Sequence, residues 1–390
     1  MGRERRLVIA GGGTGGHVLP AVAVLEELGR RNLTIETLWI GSDDGVEREA
    51  AERAGITFKA IETGKLRRYL SPRTLVDAAR VPTGAVQAWR LLRTFRPDIV
   101  FSTGGFVSVP TVVAASRLAP ILSHEQTAIL GLANRINVRF ANVLAISYEG
   151  TIAGGVVGRA RVVLTGNPVR SSLASGNAER GLARWGFTPR LPLLFVTGGA
   201  RGASPLNRRL AAMLPGLLEQ CQVLHQTGPA SANPDAADVR RQRDLWPEHL
   251  RDRYRVVEFV RDELADTYAA ATLVLGRAGA GTVAELAFLG KPSVLVPLPG
   301  AGGDEQTRNA ALLADAGAAV VVPQKEATPE HLRTLIQTLV GDSARLNEMA
   351  MGARSIAQPD AAARLADELI LLAGWKAEGL DVADPAIRSV

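Results

Sequence analysis

Cysteine is nearly missing from this chain. Cys221 stands alone among 390 residues, which excludes an internal disulfide and any cysteine-based metal cluster and fits a reducing compartment. Aromatic residues make up only 5%, so Val, Leu, Ile and Ala must fill the cores. With so few rings to stack on bases and no recognised DNA- or RNA-binding motif, no nucleic-acid partner is expected. Long apolar runs are absent too: no stretch offers eighteen uncharged apolar residues, so no helical membrane span is expected. Basic Met1–Arg6 precedes only Leu7, Val8, Ile9 and Ala10 before glycines begin, too short a run for a signal peptide. Charge of one sign is only mildly in excess. Lys+Arg number 45 against 39 Asp+Glu, a net charge of +6. A solvated basic surface accounts for this as well as an acidic partner does, whether anionic lipid, phosphorylated substrate or nucleic acid.

What the chain has in abundance is short buried strands that end in glycine. Its length predicts about two domains of roughly 150–200 residues. Arg6–Ala10 is a strand, followed by Gly11, Gly12, Gly13, Thr14, Gly15, Gly16 and His17 and then a helix with Val18, Ala21, Val22 and Leu25 on one face. Gly11, Gly13 and Gly16 match G-x-G-x-x-G, a weak signal alone. The next strand, Thr37–Ile40, ends beside Asp43 and Asp44, so spacing alone leaves a dinucleotide site open. His17 is either a helix-capping or packing residue, or a general base or acceptor ligand at a phosphate-friendly turn. The helix in GVEREAAERAG has a polar face. Ile99–Ser102 leads into Gly104 and Gly105, and Ile121–His124 into Glu125 and Gln126. Val143–Ile146 and Val162–Leu164 complete the first series. Gly166, Asn167 and Pro168 then break structure, and composition resets. The scheme restarts at Leu193–Thr197 with GGARGA, and Val223–Gln226, Val256–Phe259, Leu273–Leu275, Val294–Pro297 and Ala319–Val322 are further strands.

This organisation predicts an N-terminal domain over 1–165, a second domain over 166–358, a helix over 359–375 packing back towards the first, and a loose tail over 376–390. Two parallel-sheet domains whose glycine turns face each other would make a ligand cleft.

The stretch richest in chemistry is Gly276–Asn309. Gly276, Gly279 and Gly281 let backbone N–H groups approach a ligand closely. A helix beginning near Thr282 points its positive end at that turn, which suits a diphosphate. Glu285 lies one turn in, where a carboxylate reaches ribose hydroxyls. The buried run that follows delivers Asp304, Glu305 and Gln306 to the same sheet edge. An ordinary strand–helix connection with a dipole-compensating Glu is the alternative. Lys65, Leu66, Arg67, Arg68, Tyr69 and Leu70, with a helix carrying Trp89, Arg90 and Arg93, suit either an anionic membrane surface or a solvated loop.

Taken together, GGGTGGHVLPAVA at Gly11, GKLRRYLS at Gly64, STGGFVSVP at Ser102, HEQ at His124, TGNPVR at Thr165, GGARGA at Gly198, HQTG at His225 and RAGAGTVAEL with PSVLVPLP and DEQTRNA run in one order along nearly the whole chain. In this the sequence resembles the MurG family, the GlcNAc transferases of peptidoglycan precursor synthesis. The resemblance implies the GT-B architecture: an α/β chain with two Rossmann-like parallel-sheet domains facing across a cleft. It implies transfer of GlcNAc from UDP-GlcNAc, with inversion, to the muramyl 4-hydroxyl of a lipid-linked muramyl-pentapeptide, at the cytoplasmic face of the cell membrane and without a span. It implies donor contacts at Arg170, Ala200, Arg201, Arg277, Ala278, Gly279, Ala280, Gly281, Thr282, Glu285, Asp304 and Gln306. Acceptor contacts fall at Thr14, Gly15, Gly16, His17, Gly104, Gly105, Glu125, Gln126 and Thr127, with His17 also the candidate catalytic residue. No two aspartates lie two apart, so no metal cofactor is expected, and helix dipoles must offset the leaving diphosphate. The chain departs from the family's pattern at Thr127 for Asn, at Ala200 and Arg201 for Ser and Gln, and at Glu305 for His. A UDP-GlcNAc 2-epimerase of similar architecture, a transferase with another acceptor and a non-catalytic sugar-nucleotide-binding protein are the competing functions.

Overall fold

The computed structural model describes residues 4–43, 45–64, 72–152, 158–233, 235–300 and 303–376. The chain divides into two units. One runs to Arg170 and resumes at Pro359; the other is Ser171–Gln358.

The first unit places β1 (Arg5–Gly11), α1 (Gly15–Arg30), β2 (Ile35–Gly41), α2 (Val46–Arg53), β3 (Thr57–Ala60), α3 (Pro72–Phe95), β4 (Ile99–Gly104), α4 (Ser108–Ala115), β5 (Ile121–Glu125), α5 (Leu132–Asn137), β6 (Val143–Ile146) and β7 (Arg161–Leu164) in sequence. Its seven strands lie in the order β3-β2-β1-β4-β5-β6-β7, all parallel. Alternation along β1 builds both faces. Leu7 and Ile9 pack with Val18, Val24 and Leu28 of α1 and with Trp39. Val8 and Ala10 pack on the opposite face with Ala88 and Leu92 of α3 and Val112 of α4. A strand buried on both sides reads as the continuous apolar run seen in the sequence.

The second unit contains α6 (Ala178–Trp185), β8 (Leu193–Thr197), α7 (Ser204–Leu217), β9 (Gln222–Gln226), α8 (Asp235–Asp244), α9 (Glu248–Arg251), β10 (Tyr254–Val257), α10 (Leu264–Ala270), β11 (Leu273–Gly276), α11 (Ala280–Leu289), β12 (Ser293–Leu295), α12 (Glu305–Asp315), β13 (Ala319–Val321), α13 (Pro329–Val340) and α14 (Ser343–Ser355). Its six parallel strands lie in the order β10-β9-β8-β11-β12-β13. The last helix, α15 (Ala361–Ala373), belongs to the first unit. Its Leu365, Ala366, Leu369 and Ile370 complete the α1 face of the first sheet, and Trp375 Nε1 donates to Asp98 Oδ2 at 3.1 Å.

The boundary at Arg170 falls later than the compositional break at Thr165. The reason is local: Gly166 N donates to Ile146 O at 3.2 Å, and the His124 ring meets Gly166 O at 3.0 Å through Nε2. These bonds tie the start of TGNPVR to the first sheet.

Each sheet buries a histidine completely. Burial pushes His124 down to about 4 and His225 down to about 3. His225 Nδ1 faces Tyr254 Oη at 2.8 Å and its Nε2 faces Asn207 Oδ1 at 3.0 Å, so the neutral ring accepts at one side and donates at the other. The unfolded chain, with ordinary histidines near 6.5, therefore binds more protons than the native state as pH falls below about 6.5. Stability is fully present above that value and declines towards pH 4. The slope per histidine is about 1.4 kcal/mol per pH unit. Denaturant midpoints measured from pH 7.5 to 4.5 should fall accordingly, and flat midpoints would contradict the burial of neutral histidines.

Candidate active site

Both sheets reverse their strand order at one point, between β1 and β4 and between β8 and β11. Parallel α/β sheets bind ligands beyond the carboxyl ends of the strands that flank such a switch. Thr14–His17, Gly104, Gly105, Ala200, Arg201 and Arg277–Thr282 lie at those ends, whereas Glu125–Thr127, Asp304 and Gln306 follow the neighbouring strands β5 and β12, and Arg170 follows β7.

In the first unit, β1 delivers Thr14, Gly15, Gly16 and His17, β4 delivers Gly104 and Gly105, and β5 delivers Glu125, Gln126 and Thr127. Thr14 makes no side-chain cap, and the first turn of α1 has no acidic residue. The helix therefore keeps a positive end that suits an anion. His17 Nδ1 lies 2.9 Å from Thr103 O. A carbonyl only accepts, so the neutral ring carries its proton on Nδ1 and leaves the Nε2 lone pair for a ligand. The ring rests on a glycine turn. A Cβ on Gly105 would lie 3.2 Å from His17 Cδ2 and 2.8 Å from Gly12 O, and both Gly104 and Gly105 have positive φ, +83° and +76°. Glycine is what lets the imidazole sit there.

The β5 end is organised differently. Glu125 is buried, with Oε1 accepting from Thr127 N at 3.1 Å and Oγ1 at 2.7 Å. Its Oε2 accepts from Gly131 N and Asn134 Nδ2, both at 2.9 Å. A carboxylate so fully engaged shapes the loop that follows. Gln126 is buried too, and its Nε2 donates to Thr103 O, the carbonyl that holds His17.

In the second unit, β8 carries Ala200 and Arg201 just beyond its end, β11 leads into Arg277 to Thr282, and after β12 Asp304 caps α12, whose second residue is Gln306. These three strands are neighbours, so the segments share one sheet edge. Helix α11 begins at Ala280, not Thr282, because Gly279 is the last extended residue. Gly279 has no side chain to cap with, and the first turn is free of acidic residues. Arg277 turns inward. Its guanidinium donates to Val296 O at 2.8 Å, Pro297 O at 3.1 Å and Gln324 Oε1 at 2.6 Å. Burial, with Arg209 nearby, pushes it down to about 10. It braces the turn from behind through these bonds. Glu285 is buried, and its Oε2 accepts from Tyr268 Oη at 2.8 Å. Tyr268 is in turn wedged edge-on against Phe195 at 5.5 Å. Gln306 Oε1 accepts from Leu298 N at 2.9 Å. Asp304 opens α12 in a left-handed conformation, and its Oδ1 takes the Thr307 hydroxyl at 2.9 Å.

Arg170 lies in the first unit, where Glu26 of α1 feels its charge. Burial raises the Glu26 carboxyl, and Arg170 partly offsets this. Lys65, Leu66, Arg67, Arg68, Tyr69 and Leu70 lie outside the described residues. Tyr268 and Glu47, which the structure places in or behind these sites, carry no motif of their own, and Thr103 lies within STGGFVSVP without its side chain being the signal. Thr103 acts through its carbonyl, which any residue type supplies. Among the described residues, no group of three His, Cys, Asp or Glu is placed to hold a metal ion.

Known proteins match this chain along most of its length. Residues 7–146 match the N-terminal domain of glycosyltransferase family 28 and residues 193–365 its C-terminal domain. The UDP-N-acetylglucosamine–N-acetylmuramyl-(pentapeptide) pyrophosphoryl-undecaprenol N-acetylglucosamine transferase of Desulfitobacterium hafniense is 36% identical over 95% of this chain and 100% of its own length. The crystal structure of Acinetobacter baumannii MurG superposes with a TM-score of 0.69, at 30% identity, over 94% of this chain and 99% of that one. A UDP-N-acetylglucosamine 2-epimerase structure superposes at 0.64 with 14% identity, covering 98% of this chain and 100% of that one, which is a likeness of fold alone.

Proposed function

This chain belongs to the MurG family of glycosyltransferases, and we propose that it moves GlcNAc from UDP-GlcNAc to the 4-hydroxyl of undecaprenyl-diphospho-muramyl-pentapeptide. The near full-length identity to the named transferase carries this reading. The chemistry follows from the residues. His17 Nε2 takes the proton from the muramyl hydroxyl, whose oxygen attacks C1 of the donor sugar from the face opposite UDP. The C1–O bond to the diphosphate breaks, and the configuration inverts. Charge arriving on the diphosphate is met by the glycine turn and N-terminus of α11, while Glu285 holds the ribose. No metal ion is required on this reading, since no aspartate pair of D-x-D spacing occurs in the chain. Purified protein with UDP-GlcNAc in EDTA should release UDP only when the lipid-linked acceptor is added. Epimerisation of donor alone, or tight binding without turnover, would overturn the assignment.

An acceptor carried on a lipid would put the reaction at a membrane surface. No described helix is long and apolar enough to cross a membrane. We propose, from the family's lipid-linked acceptor, reversible attachment at the cytoplasmic face. The α3 helix presents Val86 and Trp89, 51% and 41% exposed, with the Arg93 guanidinium 4.8 Å from the Trp89 ring centre. An aromatic ring flanked by arginine suits an interface between apolar chains and anionic headgroups. Each basic residue at such a surface adds about 1 kcal/mol, screened by salt. Binding to anionic vesicles should weaken in high salt, in Trp89→Ala and in Arg67→Glu with Arg68→Glu. Co-sedimentation indifferent to all three would contradict this.

A further inference from the structure

Glu47 is the second residue of α2, and its side chain has no access to solvent. Its carboxylate lies under the first glycine loop. Oε2 accepts from Gly13 N at 2.8 Å, and Oε1 accepts from Ser42 N at 2.9 Å and Ser42 Oγ at 2.6 Å. Three glycines make room for it. A Cβ on Gly12 would meet the Glu47 Cδ at 2.2 Å, one on Gly45 would meet Oε2 at 2.1 Å, and one on Gly41 would meet Cγ at 2.6 Å. Successive N–H groups in a glycine loop form a concavity that attracts an anion. Here an anion of the chain's own fills part of it, near the positive end of a helix that favours its charge. Gly13 is the residue before Thr14, whose carbonyl accepts from His17 N at 3.1 Å and starts α1. Gly12 O, on the other side, closes against Gly105, on which the His17 ring rests.

We propose that Glu47 is a positioning residue for the transfer. Its buried carboxylate sets the β1–α1 loop from beneath. It thereby fixes where His17 stands and commits the inner side of the loop, so that a ligand's anion meets only the outward N–H groups at the start of α1. The proposal rests on the reading that this loop holds the reacting groups.

Glu47→Gln tests it. An amide offers one acceptor where two N–H groups converge, and its NH₂ is turned against the other. At a temperature where circular dichroism shows the variant fully folded, kcat should fall about 10²-fold, as for a displacement of catalytic groups of roughly an ångström. The donor KM and UDP affinity, which depend on the second unit, should stay within about threefold. Formate should restore part of the kcat of Glu47→Ala, because a small carboxylate fits the vacated cage, whereas formamide should not. A merely structural glutamate would lower the melting temperature and leave kcat of the folded variant intact, and that outcome overturns the proposal. His17→Ala assayed in parallel separates the two failures. An impaired His17→Ala beside an unaffected Glu47→Gln sinks the role of Glu47 alone. Full activity in both sinks the loop's catalytic reading and the proposal with it. If Glu47→Gln does not fold, Ser42→Ala, which removes one donor to the carboxylate, should lower kcat several-fold, and wild-type kcat there counts against the proposal.

Discussion

Replacing His17 by alanine should cut turnover by about 10²–10⁴ while the acceptor KM changes little, the range for loss of a general base. The expectation rests on the ring's setting. Nδ1 is committed to Thr103 O at 2.9 Å, so in the neutral ring Nε2 is the basic nitrogen. The ring is seated on Gly104 and Gly105, where no side chain can crowd it. A second role makes the opposite kinetic statement. A histidine that only bonds the acceptor diphosphate would raise acceptor KM and leave kcat in place. His17→Ala should therefore be measured with acceptor varied at saturating UDP-GlcNAc, with UDP affinity as a check that the second unit is intact. A well-folded variant active by both measures would reduce His17 to a packing residue and send the search for the base elsewhere.

The strand series was legible because parallel strands buried on both faces are unbroken apolar runs. Val143–Ile146 and Leu193–Thr197 lie where the sequence puts them. The edge strand was not so clear. The run Val256–Phe259 suggests a strand, but the ladder is Tyr254–Val257. On an edge, pairing with β9 decides the register, and half-exposed Arg255 is admitted. Glycine loops at the strand ends were legible for a different reason: glycine density reports backbone demands directly. What supports those loops was hidden. The segment GVEREAAERAG offers Glu47, Glu49 and Glu52, and nothing local distinguishes the one that turns under Gly13 from the two on the solvated face. Tyr268 was equally silent, because its bond to Glu285 joins α10 to α11 across β11. Glu125 and Arg277 carried a signal that pointed to a ligand, and in the structure both also make several hydrogen bonds within the fold. Composition announces a charged residue near a loop but not which way it faces.

Glu285→Ala should weaken UDP binding by about 1.5–3 kcal/mol, the value of a charge-assisted hydrogen bond, or roughly 10- to 150-fold in Kd. The carboxylate stands one and a half turns into α11, whose first turn would face the diphosphate on the proposed reading. One of its oxygens, Oε2, is held by Tyr268 Oη at 2.8 Å. A carboxylate fixed by a tyrosine that is itself locked against Phe195 gives up little entropy on taking a ribose hydroxyl. Stability and binding must be kept apart, since alanine also removes an acceptor from a buried hydroxyl. Glu285→Gln retains an acceptor for Tyr268 and should melt nearer the wild type, while still losing the charged part of the ribose bond. Tyr268→Phe leaves the carboxylate in place but frees it, so its effect on Kd should be smaller than that of Glu285→Ala. Because the tyrosine acts through the glutamate, the two substitutions together should cost no more than Glu285→Ala alone. Calorimetric titration of UDP into the four variants reads the affinities, and their thermal melts read the stabilities. Unchanged affinity in a folded Glu285→Ala protein would take the residue out of the donor site, and additive losses in the double variant would give Tyr268 a contact of its own.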